Sequence, residues 1–263
     1  MGLFRRRAPE VRKRLVLHVG THKTATTSLQ KMFRENRDAF AERGIYYPEA
    51  SRTYHGHHLL GYEAFNPDNV EAAGALDALV AELEELEPSG VLVSSENLEH
   101  LVFMPDRLVE IRDALEGIGY EIFVLITLRE VGEYAEAMCA ELHKHGLERS
   151  PSEVAAEIVA KGSFTNNGLT FPFDFDLLVG TFDELVGADH VDVLVYNDEI
   201  VPKMLEVIAG RLGATPGSPV AIERTNLRIR GEGEAPSFSE EDKAQIRMAL
   251  GNRIDPIVTS HRH

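Results

Sequence analysis

The chain has 263 residues, 43% of them hydrophobic, which is enough to bury the core of one large α/β domain or two small ones. Its formal net charge of -16 excludes general nucleic-acid binding, because a phosphate backbone would be repelled, but leaves room for a local basic pocket around a small anion. A single cysteine, Cys139, excludes an intrachain disulfide and fits a reducing, cytoplasmic compartment.

Residues 1-13 read as a basic, flexible arm carrying Arg5, Arg6, Arg7, Arg12 and Lys13; residues 14-263 read as a single α/β domain. The alternative use of the arm is contact with an anionic surface. The apolar run Leu15-Val16-Leu17 is broken by His18 and is too short for a signal-peptide core or a membrane span.

Leu15 to Val19 reads as a buried strand ending at Gly20. Thr26 to Arg43 has helical spacing through Leu29, Met32, Phe33 and Phe40, and Gly44 stops it. Ile45 to Tyr47 suits a short strand, and Ser51 to Asp68 a loop with a helical piece from Leu59 to Phe65. Helices are then expected at Val70–Leu86, Pro105–Leu115, Val131–His145, Ser152–Ala160, Leu177–Val186, Val201–Leu212 and Ser239–Leu250. Strands are expected at Val91–Val93, Ile122–Leu128 and Val191–Val195, and Glu223 to Phe238 reads as a long loop. The strands are apolar throughout instead of alternating. Interleaved with helices, they predict a parallel sheet covered on both faces.

The chemistry concentrates between the first strand and first helix, at Gly20-Thr21-His22-Lys23-Thr24-Ala25-Thr26-Thr27-Ser28. Backbone N–H groups at such a turn converge, and the helix dipole adds positive potential. Lys23 supplies a full charge, and Thr24, Thr26, Thr27 and Ser28 supply hydroxyls. Small residues let an anion approach, and His22 forms part of the wall. The arrangement suits a phosphate or sulfate. It is not the nucleotide loop of ATPases, since Lys23 comes only three residues after Gly20 with no glycine before it. Nor does a strand-end aspartate offer itself to magnesium.

Extended through Leu29 and Gln30, this loop resembles the 5′-phosphosulfate loop of PAPS-dependent sulfotransferases of the bacterial type. The resemblance continues at Thr127-Leu128-Arg129, similar to the family's 3′-phosphate motif. It then takes in Phe173 to Leu178, Val191 to Asn197 and Asn226, so it spans roughly Leu15 to Leu250. Ala137 stands where the family has a serine. The resemblance implies a P-loop-like sulfotransferase fold and transfer of a sulfuryl group from PAPS, leaving PAP, with no metal required. The acceptor would present a hydroxyl or amine, on a carbohydrate or small metabolite. Lys23 would stabilise the transferring oxygens, and Arg129, Arg228 and Arg230 would meet the nucleotide. Glu96, after the second strand, is the first candidate for the base, its pKa expected to be raised by desolvation. His55 and His58, of the cluster His55-Gly56-His57-His58, are the second. The spacing of that cluster could hold zinc, but no fourth ligand of matching pattern is evident. An ATP-dependent small-molecule kinase and a non-catalytic PAP-binding relative remain the alternatives.

Overall fold

The apolar runs form the centre of the molecule. The computed structural model describes residues 12–66, 68–215 and 237–251. Strand β1 (Lys13–Gly20) leads into helices α1 (Thr26–Glu35), α2 (Arg37–Ala41), α3 (Leu59–Phe65) and α4 (Ala75–Leu86). Strand β2 (Gly90–Ser94), helix α5 (Pro105–Gly117) and strand β3 (Tyr120–Leu128) follow. Next come α6 (Val131–Lys144), α7 (Pro151–Lys161) and an antiparallel hairpin of β4 (Ser163–Asn166) and β5 (Leu169–Pro172). The order ends with α8 (Phe175–Val186), β6 (Val191–Val195), α9 (Ile200–Leu212) and α10 (Glu240–Leu250).

Four strands make one parallel sheet in the order β2-β1-β3-β6. Side chains alternate across the sheet and find apolar partners on both faces, which explains the unbroken hydrophobic strands. Leu15, Leu17, Val19, Val124 and Ile126 pack on one face against α4, α5, α6 and α8. Val16, Leu92, Phe123 and Leu125 pack on the other against α1, α2 and α9. The helix after β1 therefore lies on one face and the helix after β3 on the opposite one. The chain order reverses between these two neighbours, and the crevice at their carboxyl ends is where open α/β sheets hold ligands.

Several boundaries differ from expectation for local reasons. Strand β1 begins at Lys13, two residues before the apolar run. The long first helix breaks at Asn36, whose side-chain amide donates to Met32 O at 2.8 Å and competes with the helical ladder. Helix α4 starts at Ala75 instead of Val70: Asn69 accepts from Glu71 N at 3.0 Å to form a turn, and Gly74 enters the helix with φ +73. Tyr46 makes an isolated parallel bridge to Val91 at the sheet edge. The hairpin adds two strands to those expected, and its turn carries the Asn-Gly signature, with Asn167 at φ 49 and Gly168 at φ 82. Ser95 opens another added element, a 3-10 segment over Glu96–Phe103, by accepting from Asn97 N at 3.2 Å. Most of the late loop, with Arg224, Asn226, Arg228 and Arg230, lies outside the described residues. Among the described residues, no helix is long and apolar enough to cross a membrane.

Two buried histidines tie the sheet to its surroundings. His18 is hydrogen-bonded to Ser94 Oγ at 2.8 Å. His57 accepts from Ser94 N at 3.0 Å and donates to Pro48 O at 3.2 Å. Burial holds both neutral, pushing each pKa down from 6.5 to about 4. The unfolded chain protonates them near pH 6.5, so their stabilising contribution is full above that pH and declines as pH falls toward about 4. Urea unfolding at a series of pH values should show stability falling from pH 6.5 to 5, by up to about 1.4 kcal/mol per pH unit for each histidine. A flat profile over that window would rule out the buried neutral assignment.

Candidate functional site

The loop after β1 is shaped by steric limits. A Cβ on Gly20 would lie 2.1 Å from Thr26 Cγ2, so only glycine lets the strand end close against the start of α1. Lys23 and Ala25 both adopt left-handed backbone, at φ 68 and φ 64. That conformation costs a non-glycine residue about 1–2 kcal/mol, and such strain concentrates at functional sites. Left-handed residues spaced in this way turn successive N–H groups to one side of the chain, an arrangement suited to anions. Among the described residues, no protein acceptor pairs with the backbone N–H groups of His22 through Thr27.

The hydroxyls divide into two groups. Thr21 donates to Thr127 O at 3.0 Å, and Thr24 donates to Thr21 O at 2.5 Å. These two brace the loop and tie β1 to β3, so Thr24 does not present its hydroxyl proton to an anion as expected. The hydroxyls of Thr26 and Thr27 make no hydrogen bond among the described residues. Ser28 is buried in the first turn of α1.

Two cations flank the loop. Lys23 Nζ lies 3.0 Å from Glu141 Oε2 on α6. Burial alone would raise the Glu141 carboxyl, but Lys23 and Lys144 bring it down to about 2. Arg129 follows β3 directly. It donates to Glu133 Oε2 at 3.1 Å, lies 5.2 Å from the Tyr196 ring centroid, and reaches Lys23 O at 3.5 Å. The two motifs, distant in sequence, are therefore neighbours in space. Ala137 is half-buried along α6.

Glu96 follows the end of β2. Gln30 of α1 donates to its Oε2 at 2.9 Å, and His58 Nδ1 lies 3.7 Å away. Burial alone would push the Glu96 carboxyl up, as expected from sequence; His58, His22 and the Gln30 bond outweigh it, and the net shift is downward. Burial lowers the His58 pKa despite the attraction of Glu96, and its Nδ1 also bonds Ser95 Oγ at 3.1 Å. Burial and the facing partner thus oppose each other at both groups, and the net shift of each is downward.

The histidine cluster does not act as a unit. His57 is committed to Ser94 and Pro48, whereas Nδ1 of His55 accepts from Arg34 at 2.9 Å, toward the far end of α1. Of the cluster, only His58 joins Glu96.

Sequence reasoning passed over a third group behind the loop. His22 turns inward and its Nδ1 donates to Glu99 Oε1, which also accepts from Tyr134 OH at 3.1 Å. Burial pushes the Glu99 carboxyl up. Burial alone would lower His22, but Glu99 outweighs it and the net shift is upward, so the pair holds a proton tightly. His100 lies beside them, against Phe171 of the hairpin at 4.8 Å between ring centroids. The available signal was Glu99 and His100 set between the apolar residues Leu98 and Leu101, three residues after Glu96. In a 3-10 segment residues three apart eclipse, which puts Glu96 and Glu99 along one side.

No family model matches the chain, and no curated protein matches it by sequence. Among solved structures, a sulfotransferase from Alicyclobacillus acidocaldarius aligns over 95% of this chain and 94% of its own at 17% identity, with a TM-score of 0.50. A structure from the PezAT chromosomal toxin-antitoxin system of Streptococcus pneumoniae aligns over 78% of this chain and 87% of its own at 15% identity. Its TM-score of 0.37 is too low for a shared fold to follow. The first likeness places the chain in the α/β, P-loop-like fold of that sulfotransferase.

The closure of the loop is open to a direct test. Gly20→Ala should lower stability by about 1–3 kcal/mol in urea unfolding, because Thr26 is buried and β-branched. Adding Thr26→Ser removes the clashing methyl and should restore most of the loss. Equal stability of Gly20→Ala and wild type would refute this packing.

Proposed function

We propose that this chain is a sulfotransferase using PAPS, with a hydroxyl or amine of a carbohydrate or small metabolite as acceptor. The observation that carries the reading is the run of backbone N–H groups from His22 to Thr27, unpaired among the described residues and set between Lys23 and Arg129 at the β1–β3 crevice. The residues fit the nucleotide. Gly20 closes against Thr26 too tightly for any side chain, and the Arg129 guanidinium reaches the Lys23 carbonyl at 3.5 Å, which brings the two cationic residues together in the fold. The hydroxyls of Thr26 and Thr27 make no bond among the described residues. The likeness to a sulfotransferase fold at 17% identity supports the choice of phosphosulfate over other anions.

Bound there, PAPS supplies a sulfuryl group on a phosphate leaving group. The loop amides and the hydroxyls of Thr26 and Thr27 hold the 5′-phosphate. Lys23 leaves Glu141 to stabilise charge developing on the departing oxygen, an oriented contact whose loss costs about 2.7–4 kcal/mol of barrier in comparable sites. Arg129, fixed by Glu133 and Tyr196, meets the 3′-phosphate. Glu96 takes the acceptor's proton, with Gln30 and His58 setting its position; its lowered pKa keeps it ionised and ready at neutral pH. Arg228 and Arg230, outside the described residues, remain candidates for covering the nucleotide.

Calorimetric titration with PAP, and separately with ATP and magnesium, tests this reading. Wild type should bind PAP in preference to ATP. Lys23→Ala should weaken PAP by about 10- to 100-fold, the worth of a hydrogen bond to a charged group. Glu141→Gln should tighten it, since an acidic competitor for Lys23 is gone. Preference for ATP with magnesium, or no binding of PAP, would overturn the assignment.

A further inference from the structure

Behind the loop, the group around Glu99 has more acceptors than donors. Glu99 is fully buried, and its Oε2 has no hydrogen-bond partner among the described residues. His100 is 4% exposed, and its Nε2 also has none. The tautomer of His100 follows from its other nitrogen: Nδ1 lies 2.8 Å from the Thr170 carbonyl oxygen, which can only accept. The proton is therefore on Nδ1, and Nε2 presents a lone pair. A buried carboxylate oxygen and a buried imidazole lone pair in one cluster are costly when nothing donates to them.

We propose that His22, Glu99 and His100 form a binding site for one divalent transition-metal ion of the zinc class. Each residue offers a ligand atom, and these atoms lie within 4.8 Å of one another. Modest side-chain rotation brings such a set around one ion. Two imidazoles and a carboxylate suit zinc and its neighbours, whereas magnesium and calcium prefer oxygen alone. The surroundings have the form of a metal site's supporting shell. Thr170 O fixes the His100 ring, and Tyr134 OH holds Glu99 Oε1. Phe65 and Phe171 pack against His100 at 5.4 and 4.8 Å between ring centroids and keep water away. The ion takes the place of the proton shared by His22 and Glu99, and that proton is released. Three protein ligands leave a coordination position open. His22 is 23% exposed at its side chain and Glu99 0%, so access comes from the His22 side, next to the anion loop. The site is independent of the nucleotide reading.

The test uses full-length protein stripped with a chelator and titrated with Zn²⁺ by calorimetry and with Co²⁺ by visible absorption. A single Zn²⁺ should bind per chain, with Mg²⁺ and Ca²⁺ giving no heat, and Co²⁺ should produce the intense visible bands of a low-coordinate nitrogen and oxygen site. His100→Ala should weaken Zn²⁺ by at least about tenfold. His261→Ala/His263→Ala, which removes the histidines of the C-terminal sequence, should leave binding in place. Circular dichroism confirms that each variant is folded, and the Co²⁺ spectrum of wild type decides the matter if His100→Ala is not. Absence of Zn²⁺ and Co²⁺ binding overturns the proposal, as does binding that a folded His100→Ala leaves unchanged; a buried water then bridges Glu99 and His100.

Discussion

The molecule is organised around a row of backbone N–H groups for which the described residues supply no acceptor. Folded proteins rarely leave such donors unpaired, because each carries a desolvation cost. Here two left-handed residues, Lys23 and Ala25, set the backbone on either side of Thr24. Glycine at position 20 allows the close approach, the Thr21 hydroxyl locks the loop to Thr127, and the Thr24 hydroxyl ties it back to Thr21. The parallel order of β1 and β3 then puts Arg129 beside the loop and Glu96 one strand away. The sheet is the frame that holds that corner.

The electrostatics of the corner are local and balanced, which reconciles the proposed anion site with a chain of net charge -16. Lys23 is matched by Glu141 and Arg129 by Glu133. An incoming dianion competes with these carboxylates and does not meet bare positive charge, which favours ligands with strong, directional oxygens. The surrounding histidines add little charge: burial keeps His18, His57 and His100 neutral, at about 4, about 4 and about 3. His22 is the exception, and its partner Glu99 is the reason.

The sheet, most helices and the turn between β1 and α1 were legible in the sequence because they depend on local signals. Apolar runs mark strands buried on both faces, and Leu59–Phe65 is helical over the residues that its pattern suggested. What was hidden depends on tertiary partners. The break at Asn36 needs a side chain that reaches back to Met32, and the delayed start of α4 needs Glu63, which accepts from Gly74 N at 2.7 Å. The Asn167-Gly168 turn was readable but stood between short strands without strong alternation. The downward shift of Glu96 could not be inferred from its burial, since His58 and Gln30 arrive from elsewhere in the chain. Glu99 and His100 escaped for the same reason: their meaning comes from His22, Tyr134 and the hairpin, all distant in sequence.

Whether the loop's amides, and not merely its lysine, form the anion site is decided by following the backbone N–H resonances of His22 through Thr27 by nuclear magnetic resonance during titration with PAP. If the amides hold the phosphate, these resonances move together, downfield and saturably, with a midpoint matching the calorimetric affinity. Movement confined to the Lys23 and Arg129 side chains, with the loop amides unchanged, would refute the amide site.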